Sequence, residues 1–503
     1  MSSTVEPSTT GQLGERRLGT IHAVAQALAI GPMFSTALVL GGTSNPATGA
    51  GFNAALSVLF AGLGVLAIAY ALSLFARRYA GAGAIYDYLA HGAHPSVGVF
   101  TAGLFFLGTL FLGGGGIYLG LGILTHDFWS AHISSSAPAW WIFGLIALGI
   151  VLVLNYLGVR IAIRAMLTFA AISFVPMLVL ALVIIGKGGE GGNTIAAFNP
   201  GTTSISTVFS GVLLGILLFV GFEAAASIGE ESHDPHRSIP RGLLWTVAVS
   251  AIFFVIMAYA LSIGYGHGAV SAGKWAGDPA YLDTMATQYI GSWYATLIDL
   301  VVIFDAMGLA LAICVTIGRG YFALGRDGLL PRVFAKTSRY DTPWVGNLMV
   351  VVGCVALIII SEGTGITDKF VPIFGSHAFA TFIITATAGS FAIELVYLIL
   401  AVAAVPFLMR TGGKWWQYLI VLVAIAMPIL GFKGALAPSP HNSDNFNWVA
   451  FYWAIAVVVI SAVWYLLMQV WKPERIKMAG AHATEHGTPA VLDEPPAYQP
   501  LPE

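Results

Sequence analysis

Apolar stretches of about twenty residues recur along the chain, and the short segments between them hold most of its charge. A helix rises about 1.5 Å per residue, so about twenty apolar residues cross the hydrocarbon core of a bilayer. Twelve such stretches can be laid out, at 20–40, 53–75, 97–123, 139–157, 165–186, 206–229, 243–265, 293–317, 345–361, 376–408, 415–432 and 449–470. The tenth is too long for one simple span and is expected to begin as a re-entrant or extracellular segment near 370–379. Two stretches are interrupted at mid-length. The first breaks at Ile30-Gly31-Pro32-Met33-Phe34-Ser35, and the sixth at Phe219-Val220-Gly221-Phe222-Glu223. Proline removes a backbone donor, and an unpaired backbone group in lipid costs several kcal/mol. Such breaks are tolerated where they line an enclosed cavity, and matching breaks in two halves of a membrane protein mark a transporter's substrate site. Ordinary Pro and Gly kinks are the plainer explanation.

Composition agrees with the pattern. Of 503 residues, 57% are hydrophobic and 9% are charged, against about 25% charged in soluble proteins. The basic residues set an orientation, because short cytoplasmic loops collect Lys and Arg. With the N-terminus inside, 18 of the 22 basic residues fall on the inner side and Lys187, Lys274, Lys369 and Lys433 on the outer. Both termini are then cytoplasmic. The first 17 residues and the tail from 472 to 503 read as polar, disordered extensions. The N-terminal segment does not read as a cleavable signal, because a full-length span follows it. A net charge of −2 gives no footprint for nucleic acid, and two cysteines, Cys314 and Cys354, both inside predicted spans, indicate no disulfide framework. No cofactor, catalytic or metal motif is read; His233-x-x-His236 lacks a third ligand at suitable spacing.

If the first helix restarts at Pro32, the proline occupies an early position where its missing N–H costs little. The amides of Met33, Phe34 and Ser35 then sit at a helix N-terminus, a setting that favours a carboxylate. Charged groups at membrane depth are functional hypotheses by default. Four stand out: Glu223, Asp299, Asp305 and Glu394. Asp305, near the centre of the eighth span, is the better candidate for a cationic group or a coupling proton. Glu394 lies near Thr385, Thr387 and Ser390, a setting that suits a proton-coupled carrier. Glu223 opens the second half of the broken sixth span, either as a structural cap or as an amine partner. The four glycines at 113–116 permit close helix approach in the third span.

Four loop or break motifs carry a family resemblance. Arg77-Arg78-Tyr79-Ala80-Gly81-Ala82-Gly83-Ala84-Ile85-Tyr86-Asp87-Tyr88 resembles the P-x-A-G-G-x-Y-x-Y stretch of amino acid–polyamine–organocation (APC) permeases. Asn155-Tyr156-Leu157-Gly158-Val159-Arg160 resembles their N-x-x-G-V-K loop. Gly221-Phe222-Glu223 with Glu230-Glu231-Ser232-His233-Asp234-Pro235-His236-Arg237-Ser238-Ile239-Pro240-Arg241 is similar to their G-F-E and E-E-x-K-D-P-x-R-x-I-P-R signature. Arg319-Gly320-Tyr321-Phe322-Ala323-Leu324-Gly325-Arg326-Asp327-Gly328-Leu329-Leu330-Pro331 resembles their R-x-x-Y-A-x-x-R-D-G-x-L-P loop.

The resemblance implies an all-α, multi-pass membrane protein with a LeuT-type 5+5 inverted repeat. The repeat core would run from 18 to 410, helices 1 and 6 would be broken, and two additional transmembrane helices would occupy 411–471. It also implies a secondary transporter in a plasma (bacterial inner) membrane that moves amino acids or related amines by alternating access. The substrate site would comprise Ile30, Gly31, Met33, Phe34, Ser35, Phe219, Val220, Gly221 and Phe222. The substrate carboxylate would sit at the first break and its ammonium near the 219–221 carbonyls, with Phe219 and Phe222 as walls or gates. Gly31-Pro32-Met33-Phe34 replaces the small triplet of many relatives, which leaves a smaller carboxylate, an amino alcohol or a polyamine open as substrate. The region 165–187 has no basic residue between its ends, and the eighth span has no Ser/Thr pair at mid-depth, which favours protons or exchange over sodium. A non-transporting sensor on the same fold is the alternative of a different class.

Overall fold

A computed structural model describes residue 13, residues 18–436 and residues 446–485. Among the described residues, eleven helices are long and apolar enough to cross a membrane. Spans 1 to 3 are Thr20–Leu38, Gly51–Ala76 and Pro95–His132, and span 4 is the shorter Trp140–Tyr156. Spans 5 to 8 are Val159–Lys187, Ile205–Ile228, Pro235–Tyr265 and Ser292–Arg326. Spans 9 to 12 are Trp344–Gly363, His377–Thr411, Trp415–Ala435 and Phe446–Trp471. Each matches an apolar stretch read from the sequence. The expectation for the tenth resolves into two parts: Val371–Phe374 is a separate short helix, and His377–Thr411 then runs unbroken for 35 residues.

The packing repeats itself under an exchange of halves. Span 1 packs on span 7, and span 6 on span 2. Span 5 packs on span 8, and span 10 on span 3. Span 3 meets span 4, and span 8 meets the start of span 9, while spans 2 and 7 pair with each other. These contacts map onto one another when spans 1–5 are exchanged with spans 6–10. Each unit holds an odd number of crossings, so the second runs through the bilayer in the opposite sense. Spans 11 and 12 lie outside this relation and pack on span 10.

Close approach depends on small residues. In span 3 the glycine run forms a π-helical turn, Leu110–Gly116. A Cβ on Gly115 would lie 2.7 Å from the Gly353 carbonyl oxygen of span 9, so a side chain there would force the helices apart. The outer surface is apolar: Ile172, Val175, Val179 and Leu182 of span 5 are 39–61% exposed, a stripe suited to lipid.

At the end bearing most basic loops, the motif residues lock together. Leu18 bridges Ser232 in parallel fashion, with its amide on the Glu231 carbonyl at 3.0 Å. Arg326 holds Glu230 at 2.5 and 3.0 Å, and Arg319 holds Glu231 at 2.6 Å. Arg237 pairs with Asp234 at 3.8 Å instead. The disordered tail expected from residue 472 is corrected over 473–485. Pro473–Lys477 is helical, and β2 (Thr484–Glu485) pairs antiparallel with β1 (Tyr79–Ala80). The Gly480 amide reaches Asp327 at 2.8 Å, and His482 meets the same carboxylate at 2.7 Å. Buried Ile476 and Ala479 anchor the segment. The rest of the expected extensions, including nearly all of 1–17, lies outside the described residues.

Asp87 is buried beneath this cover, its carboxylate on the Gly83 amide at 2.8 Å. Burial, followed by the nearby charges of Asp327 and Glu230, pushes its carboxyl well above the usual range. Glu230 moves the other way: burial opposes ionisation, but Arg326 and the Ala82 amide together outweigh it. The folded state therefore binds the Asp87 proton more tightly than the unfolded chain does. Its destabilising contribution is absent below the ordinary Asp pKa and grows as pH rises above it. Asp87→Asn should match wild type in thermal midpoint near pH 4 and exceed it by a widening margin toward pH 8. A difference that does not change with pH contradicts this assignment.

Candidate functional site

The site begins with a backbone necessity. Span 1 is helical over Thr20–Ala27, tightens at Leu28–Ile30, and restarts at Pro32–Leu38. Gly31 between them has φ +55°, and a Cβ there would lie 2.6 Å from Leu309 Cδ2 of span 8, so glycine suits both the conformation and the space. The Gly31 carbonyl takes the Ser35 amide at 2.8 Å, and Ser35 Oγ returns to the Ile30 carbonyl at 2.8 Å. The amides of Met33 and Phe34 point out of the restarted helix.

Asp305 meets them. Its Oδ2 accepts from Met33 N at 2.9 Å and from Phe34 N at 3.0 Å. The sequence marks Asp305 for a cation and the two amides for a substrate carboxylate; the fold joins them to each other. The anion seat at the first break is held by a carboxylate of the chain itself. Both hydrogen bonds use Oδ2, and among the described residues none is made to Oδ1.

The second break is closed from within. Gly221 has φ +117°, and its amide donates to Glu223 Oε2 at 3.0 Å. Tyr397 of span 10 donates to the same oxygen at 2.6 Å. Of the two readings of Glu223, this geometry is that of the cap. The two breaks abut, Leu28–Ile30 lying against Phe222–Ile228. Phe222 leans on Tyr397 with ring centroids 5.6 Å apart. Phe219, expected as a wall or gate, packs edge-on against Phe254 of span 7 at 5.0 Å. Val220 is buried beside it.

Glu394 is fully buried in span 10, with Ser390 Oγ 3.2 Å from Oε1. Among the described residues its Oε2 has no hydrogen-bond partner, and it faces Gly431 of span 11. It therefore belongs to the contact between spans 10 and 11 and is separate from Asp305. Asp299 lies six residues before Asp305 in span 8, with His132 at 3.6 Å.

A cavity of about 550 Å³ opens at the end away from the basic loops, with Leu38, Leu217, Phe379 and Thr387 in its wall. Between it and the first break stand three rings. Phe379 stacks on Phe382 at 6.1 Å, and Phe382 meets Phe34 edge-on at 5.7 Å. Tyr281 spans the restarted helix, donating to the Thr36 carbonyl and accepting from Gly41 N at 3.1 Å. Tyr397, Phe382 and Tyr281 carry no local signal that marks them; only the presence of aromatic residues near the breaks hints at them.

If Glu223 is the cap of the second break, its loss exposes a buried amide without a partner, which costs about 1–3 kcal/mol. Glu223→Ala should lower the thermal midpoint well below that of Glu223→Gln, which keeps an acceptor oxygen. Equal midpoints for the two variants contradict the cap.

Residues 24–478 match the family model described as amino acid permease. The chain is 24% identical over 316 residues to the low-affinity putrescine importer of Escherichia coli (strain K12), covering 60% of this chain and 66% of that protein. It is 26% identical over 141 residues to a branched-chain amino acid permease of Bacillus subtilis (strain 168), covering 28% and 29% of the two chains. It is 27% identical over 243 residues to a lysine-specific permease of Lactococcus lactis subsp. cremoris (strain MG1363), covering 44% and 46%. Each pairwise match thus spans less than two thirds of the relative's length, whereas the family model spans nearly the whole chain. Among the described residues the chain has eleven helices long and apolar enough to cross a membrane, one shorter apolar helix and two broken spans, and it belongs to the amino acid permease family of the APC superfamily.

Proposed function

We propose that the protein is a secondary carrier of organic amines, working by alternating access in a bacterial inner membrane with both termini cytoplasmic. The observation that supports this reading is the seat of Asp305 on the Met33 and Phe34 amides. An α-amino acid docking there needs those amides for its own carboxylate. It must either displace Asp305 or bury a second negative charge beside it. Leaving a buried charge uncompensated costs about 3–5 kcal/mol. An amine without a carboxylate gains from the same carboxylate, through an ammonium on the free Oδ1. Among the relatives named above, one imports a carboxylate-free diamine, and the other two are permeases for branched-chain amino acids and for lysine.

The same carboxylate suggests the coupling. A proton and an ammonium compete for one anion, and only one of them is carried at a time. That exclusivity is the logic of exchange rather than symport. Phe34, Phe382 and Phe379 form the thin apolar gate toward the open cavity, and the Glu230–Arg326 and Glu231–Arg319 pairs close the opposite side.

Uptake into proteoliposomes tests this reading with labelled putrescine, ethanolamine, leucine and lysine. Putrescine or ethanolamine should enter, faster when the vesicle interior is acidic, and Asp305→Asn should reduce that entry at least tenfold. Tenfold corresponds to about 1.4 kcal/mol, the low end for hydrogen bonds to a charged group. Entry of leucine with Asp305→Asn fully active overturns the amine reading. Faster entry with an acidic exterior overturns the exchange reading. Amine binding without flux in either uptake or exchange format favours the sensor.

A further inference from the structure

A second cavity, of about 590 Å³, lies at the basic end, apart from the broken-helix site. It is bounded by Leu18 before span 1, by the loop entering span 5, and by the loop between spans 8 and 9. Three arginines face it: Arg160, Arg164 and Arg339. None of them forms an ion pair among the described residues. Arg319 and Arg326 of the closing network, by contrast, each hold a carboxylate. Arg339 stands over the Tyr340 ring at 4.8 Å instead.

The acids in the wall do not neutralise this charge. Glu231 is already held by Arg319 at 2.6 Å, which leaves Asp341 against three guanidinium groups. Backbone charge adds to theirs. Span 5 is a 29-residue helix that begins here, after Gly158 with φ +127°. The Gly158 carbonyl takes the amides of Ile161 and Ala162, and those of Val159 and Arg160 come before any intrahelical acceptor. The positive end of the helix dipole thus faces the same space as the arginines.

The cavity also has an apolar rim. Leu157 is 37% exposed, Ile161 43% and Tyr340 41%, next to the basic groups. A soluble anion has no use for that rim, whereas an acyl chain does. Guanidinium groups match phosphate oxygens in geometry as well as charge, and basic pockets at the headgroup level bind anionic lipids.

We infer that this cavity is a site for the phosphate of an anionic phospholipid, held by Arg160, Arg164 and Arg339 at the start of span 5. The lipid bridges the start of span 5 to the loop after span 8, with Leu18 in the same wall. It therefore stabilises the arrangement in which Leu18 is docked on Ser232.

The test measures the thermal midpoint of the purified full chain in neutral detergent, through tryptophan fluorescence. Phosphatidylglycerol should raise the midpoint, and phosphatidylcholine with the same acyl chains should not. The combined variant Arg160→Gln, Arg164→Gln and Arg339→Gln should lose the response. The corresponding lysine variant should keep part of it, which separates charge from misfolding. Changing Arg241, Lys336 and Arg237 to Gln should leave the response intact. A response that survives in the first variant overturns the site. Glycerol phosphate matching the lipid in wild type, and losing its effect in that variant, overturns the lipid as the source while retaining the phosphate.

Discussion

A helix that stops and restarts inside a membrane leaves amides that no water can satisfy, and the rest of this structure follows from how they are satisfied. Gly31 and Pro32 make the break, and Asp305 of span 8 answers it with one oxygen on two amides. The second break receives the same treatment from Glu223, assisted by Tyr397. Both solutions are carboxylates placed against the positive end of a short helix, which is favourable in water and stronger where water is excluded. They differ in one respect that matters for transport. Glu223 is two residues from its amide and remains part of span 6, whereas Asp305 belongs to another helix. The first seat therefore couples the relative position of spans 1 and 8 to the charge state of one group.

The two ends of the bundle are built from different physics. Toward the open cavity the closure is aromatic and thin, three rings in contact. Toward the basic loops it is ionic and layered: two Glu–Arg pairs, a bridge from Leu18 to Ser232, and the docked 473–485 segment above Asp327. Apolar contacts of a few rings separate easily, while buried charge pairs lose most of their compensation when one partner moves away. The conformation described here is accordingly thick on the basic side and thin on the other.

Much of this was legible in the sequence because a bilayer imposes a length on every span and charge follows the loops. All twelve spans, both breaks and the carboxylates at membrane depth follow from local composition. The partnership of Asp305 with Met33 and Phe34 does not. It joins positions more than 270 residues apart and depends on the depth and rotation of span 8 relative to span 1. Nor does the packing of Phe219 follow from local composition: the residue adjoins the second break and rests against Phe254 of span 7. The docked segment was missed for a related reason. Residues 473–485 are polar overall, and their anchors (buried Ile476 and Ala479, the Gly480 amide, His482 and the pairing of 484–485) find partners that include the sequence-distant 79–87 and 327 regions.

The most direct test of the Asp305 seat is an experimental structure of the protein with a transported amine bound. The account predicts Asp305 Oδ2 still on the amides of Met33 and Phe34, with the ammonium on Oδ1. A structure in which Asp305 has swung away and a substrate carboxylate occupies those amides contradicts it.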